Sequence, residues 1–453
     1  MGKSYVIKPE LAKTYPFVAY GKGVFLYDQQ GKPYLDGCSG AVTASIGHGV
    51  EEIAEAMEKQ ARQVSFAYRS HFSSEPVEEL AAKLAALAPG QVNWSFFVSS
   101  GSEATETAQK IAIQYWQEKG YDRKNRIISR WMSYHGITMG ALSMSGHVLR
   151  RKRFVPLLAD YPAIPAPYPY RKPEQVTLEE YARLTADELE TAIRRIGAEN
   201  VAAFIAEPVI GASGGAVVPP DGYFQRIREI CDRYHVLFIA DEVMTGVGRT
   251  GKNFGIDHWQ VVPDLMALGK GMSAGYTPMA AAMVSDEIIK TIAAGSGLIM
   301  AGHTYSANPQ SAATSLAVLQ YVEKHRLIER SAAMGQYLLQ GLQRIADEFP
   351  LVGDARGLGL LCGIELVKDK QTKEPFPLAA GVTNIVLKRA FEKGLILYPA
   401  VGGLDGVAGD AIIVAPPLTI TTAEIDQLLE MLRSALADVQ AELWQEARQI
   451  GEG

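Results

Sequence analysis

The sequence predicts an α/β protein with a mainly parallel sheet covered by helices on both faces, in a chain long enough to form a second domain. Short apolar runs alternate with amphipathic stretches from about residue 94 onward, the pattern of strands buried between helices. The 453 residues exceed the length at which a single core keeps growing. A composition of 47% hydrophobic and 21% charged residues is that of an ordinary globular protein.

The elements follow in order. Residues 25–27, the turn Asp28-Gln29-Gln30-Gly31 and residues 33–35 predict a hairpin. Residues 51–65 and 75–88 carry helical periodicity. Residues 95–98 read as a buried strand opening into a helix over 102–116, where Ala104, Ala108, Ile111 and Tyr115 share a face. Residues 126–129, 201–206, 236–240 and 265–268 are further short strands, with a helix over 222–235. The stretch 162–170, rich in Pro and Tyr, fits neither helix nor central strand, and its aromatics call for burial. From about residue 326 a smaller α+β unit is expected, with a strand over 357–366 and helices over 381–393 and 423–447.

Charge and cysteine usage exclude several classes. A formal net charge of −6 does not suit a protein that coats nucleic acid or anionic membrane. Cys38, Cys231 and Cys362 are odd in number and far apart, which argues against a disulfide framework or a structural zinc site and for a reducing compartment. The first sixteen residues carry Lys3, Lys8, Glu10 and Lys13 without an apolar core, unlike a signal peptide. Val6 stands where a myristoylation signal after Gly2 needs Ser or Thr. No run of about 18 apolar residues suggests a membrane span. A cytoplasmic protein is expected.

Ligands of parallel α/β sheets sit at the carboxyl ends of the strands, and four polar groupings fall there. Ser99-Ser100-Gly101-Ser102-Glu103 opens a helix. Its small residues and free N–H groups suit a phosphate, while Ser100 with Glu103 also fits a capping box that binds nothing. Tyr134-His135-Gly136 offers an aromatic ring that either stacks on a planar ligand or packs. Asp241-Glu242 ends an apolar strand. A buried carboxylate needs a cationic partner, such as a protonated ring nitrogen; a cap or a solvent-facing pair is the plainer reading. No His or further acid stands at metal-ligand spacing. Lys270, between Gly269 and Gly271, ends the next strand. Apolar surroundings would lower its pKa and free the amine for a carbonyl, whereas a G-K-G turn alone would leave it exposed. The conjunction of these groupings, with Lys270 29 residues after Asp241, is far more specific than any member.

These residues lie in stretches that resemble the class III (ω-type) aminotransferases, pyridoxal-phosphate enzymes of fold type I. The stretches are V-S-S-G-S-E-A-T-E-T-A (98–108), Y-H-G (134–136), A-E-P-V (206–209), I-A-D-E-V-M-T-G-V-G-R-T-G (239–251), L-G-K-G (268–271) and H-T-Y-S-A-N-P (303–309). L-D-G-C-S-G (35–40) and A-P-P-L-T-I (415–420) extend the likeness over nearly the whole chain. The resemblance implies a large domain over 56–325 with a mainly parallel seven-stranded sheet. It also implies a small α+β domain drawn from both termini, residues 1–55 and 326–453. Lys270 would hold pyridoxal 5'-phosphate as a Schiff base and shuttle the proton, and Asp241 would pair with the pyridine nitrogen. Tyr134 would stack on the ring, Val243 pack beneath it, and His135 and Glu207 adjoin the site. Ser100, Gly101 and Ser102 would hold the phosphate, completed by Thr304 of a neighbouring subunit in a homodimer or a dimer of dimers with shared sites. The implied reaction moves an amino group from an amine or ω-amino acid to pyruvate or 2-oxoglutarate by ping-pong turnover. An epimerase or decarboxylase on the same fold, or a noncatalytic binding relative, is the alternative.

The chain departs from the family where a substrate carboxylate is usually gripped. Ile137 stands where Arg often follows Y-H-G, Ile412-Ile413-Val414 lacks an Arg before P-L-T-I, and the loop over 399–410 has none. Arg249 and Arg356 match positions that serve the structure. Met244, where some relatives carry Gln, leans toward the amine–pyruvate type. Arg150-Arg151-Lys152-Arg153 reads as a solvated surface turn; the sharper alternative is a site for a phosphate-bearing substrate such as a coenzyme A thioester.

Overall fold

The computed structural model describes residues 5–451, with 444–451 by backbone alone. Gly2 and Lys3, used in reading the N-terminal segment, lie outside them. The centre of the molecule is a seven-stranded sheet of β1 (Trp94–Val98), β2 (Arg126–Arg130), β3 (Ala163–Ile164), β4 (Val201–Ala206), β5 (Leu237–Asp241), β6 (Leu265–Leu268) and β7 (Ala280–Val284). Their spatial order is β1-β7-β6-β5-β4-β2-β3. Only β7 is antiparallel to its neighbours, and the pairs from β6 to β3 are all parallel. Every residue of β4, β5, β6 and β7 is buried, as apolar runs covered on both faces must be. Helix α1 (Gly101–Glu118) follows β1, and α2 (Leu178–Ile196) and α3 (Tyr223–Tyr234) flank β4 in the chain. Because β2, β4, β5 and β6 run parallel, their carboxyl ends, with that of β1, open on one edge.

The Pro- and Tyr-rich stretch contributes only the two-residue edge strand β3 and then a 3₁₀ turn at Pro169–Arg171, as its prolines require. Its Tyr168 is buried and its hydroxyl meets the Glu365 carboxylate, which Arg171 and Arg356 also engage.

Two further sheets lie outside the central one. The hairpin Phe25–Asp28 with Pro33–Asp36 is joined on one side by Val18–Lys22 and on the other by Leu395–Ile396. The last pairing is parallel, Leu35 beside Leu395 and Asp36 beside Ile396. The second four-stranded sheet comprises Val352–Leu358, Leu361–Leu366, Ala408–Val414 and Tyr398–Leu404.

This second sheet corrects two expectations. The single strand over 357–366 is the end of one strand and the whole of the next, reversed at Gly359, whose φ of +52° suits glycine. A Cβ at Gly359 would stand 2.3 Å from the Thr250 carbonyl carbon, so a turn packed this closely has room for no other residue. The supposed loop over 399–410 is a hairpin turning at Asp405 and Gly406, both with positive φ. Val407 and Gly402-Gly403 interrupt the strand pattern enough to read as loop, yet the backbone pairs from Tyr398 to Val401. Among the described residues no helix is long and apolar enough to cross a membrane.

Candidate active site

The residues singled out in the sequence fall, with one exception, at the open edge of the sheet. Asp241 ends β5 and Lys270 follows β6 after one glycine. Glu207 follows β4, Tyr134 and His135 follow β2, and Ser100, Gly101 and Ser102 link β1 to α1. The exception is Thr304, exposed on a turn, which no hydrogen bond among the described residues joins to the rest.

Asp241 is buried, and its Oδ2 lies 2.7 Å from His135 Nδ1 while its Oδ1 accepts the Val243 N–H at 3.1 Å. His135 is itself pinned: its N–H donates to Ser145 Oγ at 2.8 Å, and its carbonyl accepts the Thr105 hydroxyl at 2.6 Å. The carboxylate is thereby fixed at both oxygens, by His135 at one and by the Val243 N–H at the other. Glu242 turns the opposite way. It accepts N–H groups from Gly255 and Ile256 at 2.8 and 2.7 Å as well as the Thr245 hydroxyl, and burial raises its pKa to about 7. The adjacent acids are neither a solvent-facing pair nor equivalent: one faces the site and the other braces the loop after it.

The Lys270 amine is enclosed by protein, although the residue keeps some surface, and no described residue hydrogen-bonds to it. Burial pushes its pKa down to about 8, opposed by the carboxylates of Asp241 and Glu207 and reinforced by the charge of Arg150. Its φ of +42° is left-handed, a strained setting for a lysine that the surrounding structure imposes. Glu207, buried, accepts the Tyr134 N–H and the Gly211 N–H, both at 2.9 Å, which ties the Y-H-G segment to the end of β4. Burial raises its pKa.

The floor is made by close backbone approach. A Cβ on Gly101 would stand 2.7 Å from Val243 Cγ1, and one on Gly269 3.3 Å from the same atom. Val243 thus touches the starts of both the α1 and the Lys270 segments, and a side chain at Gly101 would push them apart. The Ser100 hydroxyl accepts the Glu103 N–H at 3.3 Å, while Glu103 reaches back to the Ser99 N–H at 2.7 Å, one residue earlier than a capping box would place it. The Ser102 hydroxyl accepts the Ile137 N–H at 3.0 Å. The N–H groups of Gly101 and Ser102, in the first turn of α1, remain as donors for an anion. An enclosed amine, a braced carboxylate and a helix N-terminus facing one edge fit an aldehyde-bearing, phosphorylated aromatic cofactor. Cavities of about 520 and 640 Å³ open elsewhere, and neither borders these residues.

Comparison with known proteins matches the class III aminotransferase family model to residues 7–436. The chain belongs to the class III aminotransferases. It is a transferase acting on amino groups (EC 2.6.1.-), in a family that depends on pyridoxal phosphate. An uncharacterized aminotransferase of Bacillus subtilis, YodT, is 54% identical over 97% of this chain and 99% of its own. The putrescine–pyruvate aminotransferase of Pseudomonas aeruginosa is 38% identical over 92% of this chain and 90% of its own. Among solved structures, an (S)-enantioselective ω-transaminase from Thermomicrobium roseum superposes with a TM-score of 0.88 at 42% identity, covering 94% of this chain and 93% of that one. The ω-transaminase of Pseudomonas jessenii, solved in complex with PMP, does so at 0.89 and 36% identity, covering 94% and 93%.

The structure also overturns one sequence expectation in this aminotransferase. The run 150–153 is not a solvated turn throughout. Lys152 and Arg153 are exposed, but Arg151 donates to the carbonyls of Leu142, Ser143 and Ser145, and Arg150 turns inward. Its guanidinium lies 4.3 Å from the centre of the Tyr134 ring and donates to the Tyr398 hydroxyl at 3.4 Å. Nothing in the residue pattern marks it, because the neighbours Arg151 and Arg153 look the same in sequence. Arg249 and Arg356 serve the structure as expected. Arg249 is fully buried and donates to the Leu360 and Pro416 carbonyls and to Ser39 Oγ, and Arg356 engages Asp354, Glu365 and the Gly214 and Gly215 carbonyls.

Proposed function

We propose that the enzyme transfers an amino group from an amine or ω-amino acid donor to a 2-oxo acid, pyruvate before 2-oxoglutarate, by ping-pong turnover on pyridoxal 5'-phosphate held by Lys270. The observation that carries this reading is the enclosed Lys270 amine beside the carboxylate of Asp241 at neighbouring strand ends. The likeness to a putrescine–pyruvate aminotransferase and to ω-transaminases supports the donor and acceptor classes. When bound, the cofactor supplies an aldehyde carbon that an amine can join and a ring that takes up the electron pair left when a Cα–H bond breaks.

The residues divide the remaining work. Lys270 would hold the cofactor through its amine, and the same amine, freed, would be the base that moves the substrate's Cα proton. Asp241, braced by His135, would pair with the ring nitrogen and favour its protonated form. Tyr134 would stack on the ring and Val243 pack beneath it, and Glu207 holds the Tyr134 segment in place. The N–H groups of Gly101 and Ser102, with Ser100, would hold the phosphate. Thr304, on its exposed turn, completes the phosphate site of a second copy, which makes the functional unit a homodimer or a dimer of dimers. The setting is the cytoplasm.

The depressed Lys270 pKa has a direct consequence. Only the neutral amine could join an aldehyde, so cofactor capture by the apoprotein is expected to rise with pH and level off above about pH 8. At that pH it has roughly 100-fold more neutral amine than an ordinary lysine. Stopped-flow absorbance between pH 6 and 10 measures this, and a rate still climbing steeply above pH 9 contradicts it.

A donor-by-acceptor panel on the purified holoenzyme tests the reaction, and borohydride reduction followed by peptide mapping tests the attachment. Amino transfer to an added 2-oxo acid and a label at Lys270 are expected. Carbon dioxide release or racemisation without transfer would move the enzyme to the decarboxylase or epimerase alternative. No spectral response to any amine would leave a binding protein.

A further inference from the structure

The family's usual carboxylate-gripping positions carry no arginine here, yet one arginine does face the site. Arg150 lies on the short helix Val148–Arg151, and its neighbours fix its direction. Val148 and Leu149 pack against Gly406 and Gly402 of the C-terminal hairpin, so closely that a Cβ on either glycine would stand 2.6 and 2.5 Å from them. Arg151 is tied to three carbonyls behind. Arg150 is thereby aimed between the Tyr134 ring and the Tyr398 hydroxyl. It forms no ion pair among the described residues, whereas Arg356 and Arg171 both meet carboxylates. The nearby His147 supplies no charge of either sign at neutral pH, since burial and then the Arg150 charge push its pKa down to about 4.

A half-buried guanidinium with no anion beside it calls for one. Its planar fork of N–H donors matches a carboxylate in two parallel hydrogen bonds. Tyr134, on which it lies, adjoins both His135 and Glu207 of the reacting centre. We infer that Arg150 receives the carboxylate of the 2-oxo acid acceptor, and of carboxylate-bearing donors, in place of the arginines the family puts elsewhere. The assignment rests on the transaminase reading and adds the group that recognises the acid. Tyr398, from the hairpin, holds the unliganded guanidinium in position. Donors without a carboxylate have no use for it.

The two half-reactions separate these roles. Isopropylamine, a donor with no carboxylate, reduces the cofactor absorbance in the first; pyruvate restores it in the second. Arg150→Met raises the KM for pyruvate roughly 10- to 100-fold, the effect of losing a charge-assisted pair, with a much smaller change in kcat and in the isopropylamine half-reaction. Arg150→Lys recovers part of the loss, and Arg153→Gln, in the same basic run but exposed, matches wild type in both halves. Titration with propionate, which has no carbonyl to react, reads the same site at equilibrium and weakens tenfold or more in Arg150→Met. A pyruvate KM and a propionate affinity within threefold of wild type overturn the assignment, as does equal damage to both half-reactions, which would mark Arg150 as a support for Tyr134. A wild-type enzyme with no isopropylamine half-reaction instead removes the transaminase reading beneath it.

Discussion

Replacing Lys270 by alanine lowers kcat by at least about 10³-fold, within the range for a positioned proton-transfer group and before any loss of cofactor attachment is added. The size of the effect follows from what surrounds the amine. Arg150 remains protonated and cannot accept a proton. His135 is committed through Nδ1 to Asp241, and its Nε2 is buried. The neighbouring carboxylates are engaged as well, Glu207 by the Tyr134 and Gly211 N–H groups and Asp241 by His135. Folding survives the change, because the left-handed backbone at this position is as strained with alanine as with lysine, and the amine has no hydrogen bond to lose. Single-turnover absorbance, borohydride labelling and thermal unfolding together read the result. A variant that folds, escapes labelling and still turns over at more than about 1% of wild type would show that the proton moves by another route.

Asp241→Asn lowers kcat by about 10²- to 10³-fold, because a buried cation deprived of its anion loses several kcal/mol of stabilisation. The substitution preserves shape. Asparagine still accepts the Val243 N–H and still meets His135, so the lost charge is the isolated variable. On the proposed attachment, borohydride labelling at Lys270 is expected to be retained. The deciding measurement is ¹⁵N NMR of enzyme loaded with ring-labelled cofactor: the ring nitrogen is protonated at pH 7 in wild type and unprotonated in the variant. A protonated nitrogen in Asp241→Asn, with kcat within tenfold, would mean that another group supplies the charge.

The central sheet and the open edge were legible because their signals are local. Strands such as Val201–Ala206 and Leu265–Leu268 are unbroken apolar runs, and the residues that follow each strand are polar in a way burial alone does not explain. Four groupings, at 99–103, 134–136, 241–242 and 270, could be placed from chain order and the strand-end rule, whereas Glu207 and Thr304 came only from the family resemblance. What escaped notice depended on three dimensions. The strand Ala280–Val284 is rich in alanine, with little β-forming character of its own, and exists because it fits antiparallel between β1 and β6. The reversal at Gly359 is dictated by the nearness of the Thr250 backbone, which no window of sequence contains. The inward turn of Arg150 is likewise set by glycines some 250 residues away, so a basic run gave no hint of which cation faces water.

The parallel pairing of Leu35 with Leu395 bears on how the chain is made. The two strands are separated by 360 residues, so at ordinary rates of translation the first emerges from the ribosome roughly 20–70 s before its partner. Until then the edge at Pro33–Asp36 is unpaired, while β1 to β7, and with them Lys270 and Asp241, can already assemble. The central sheet can therefore form early, while the hairpin edge that Leu395–Ile396 later covers stays open to other chains until the C-terminal part of the chain has been made.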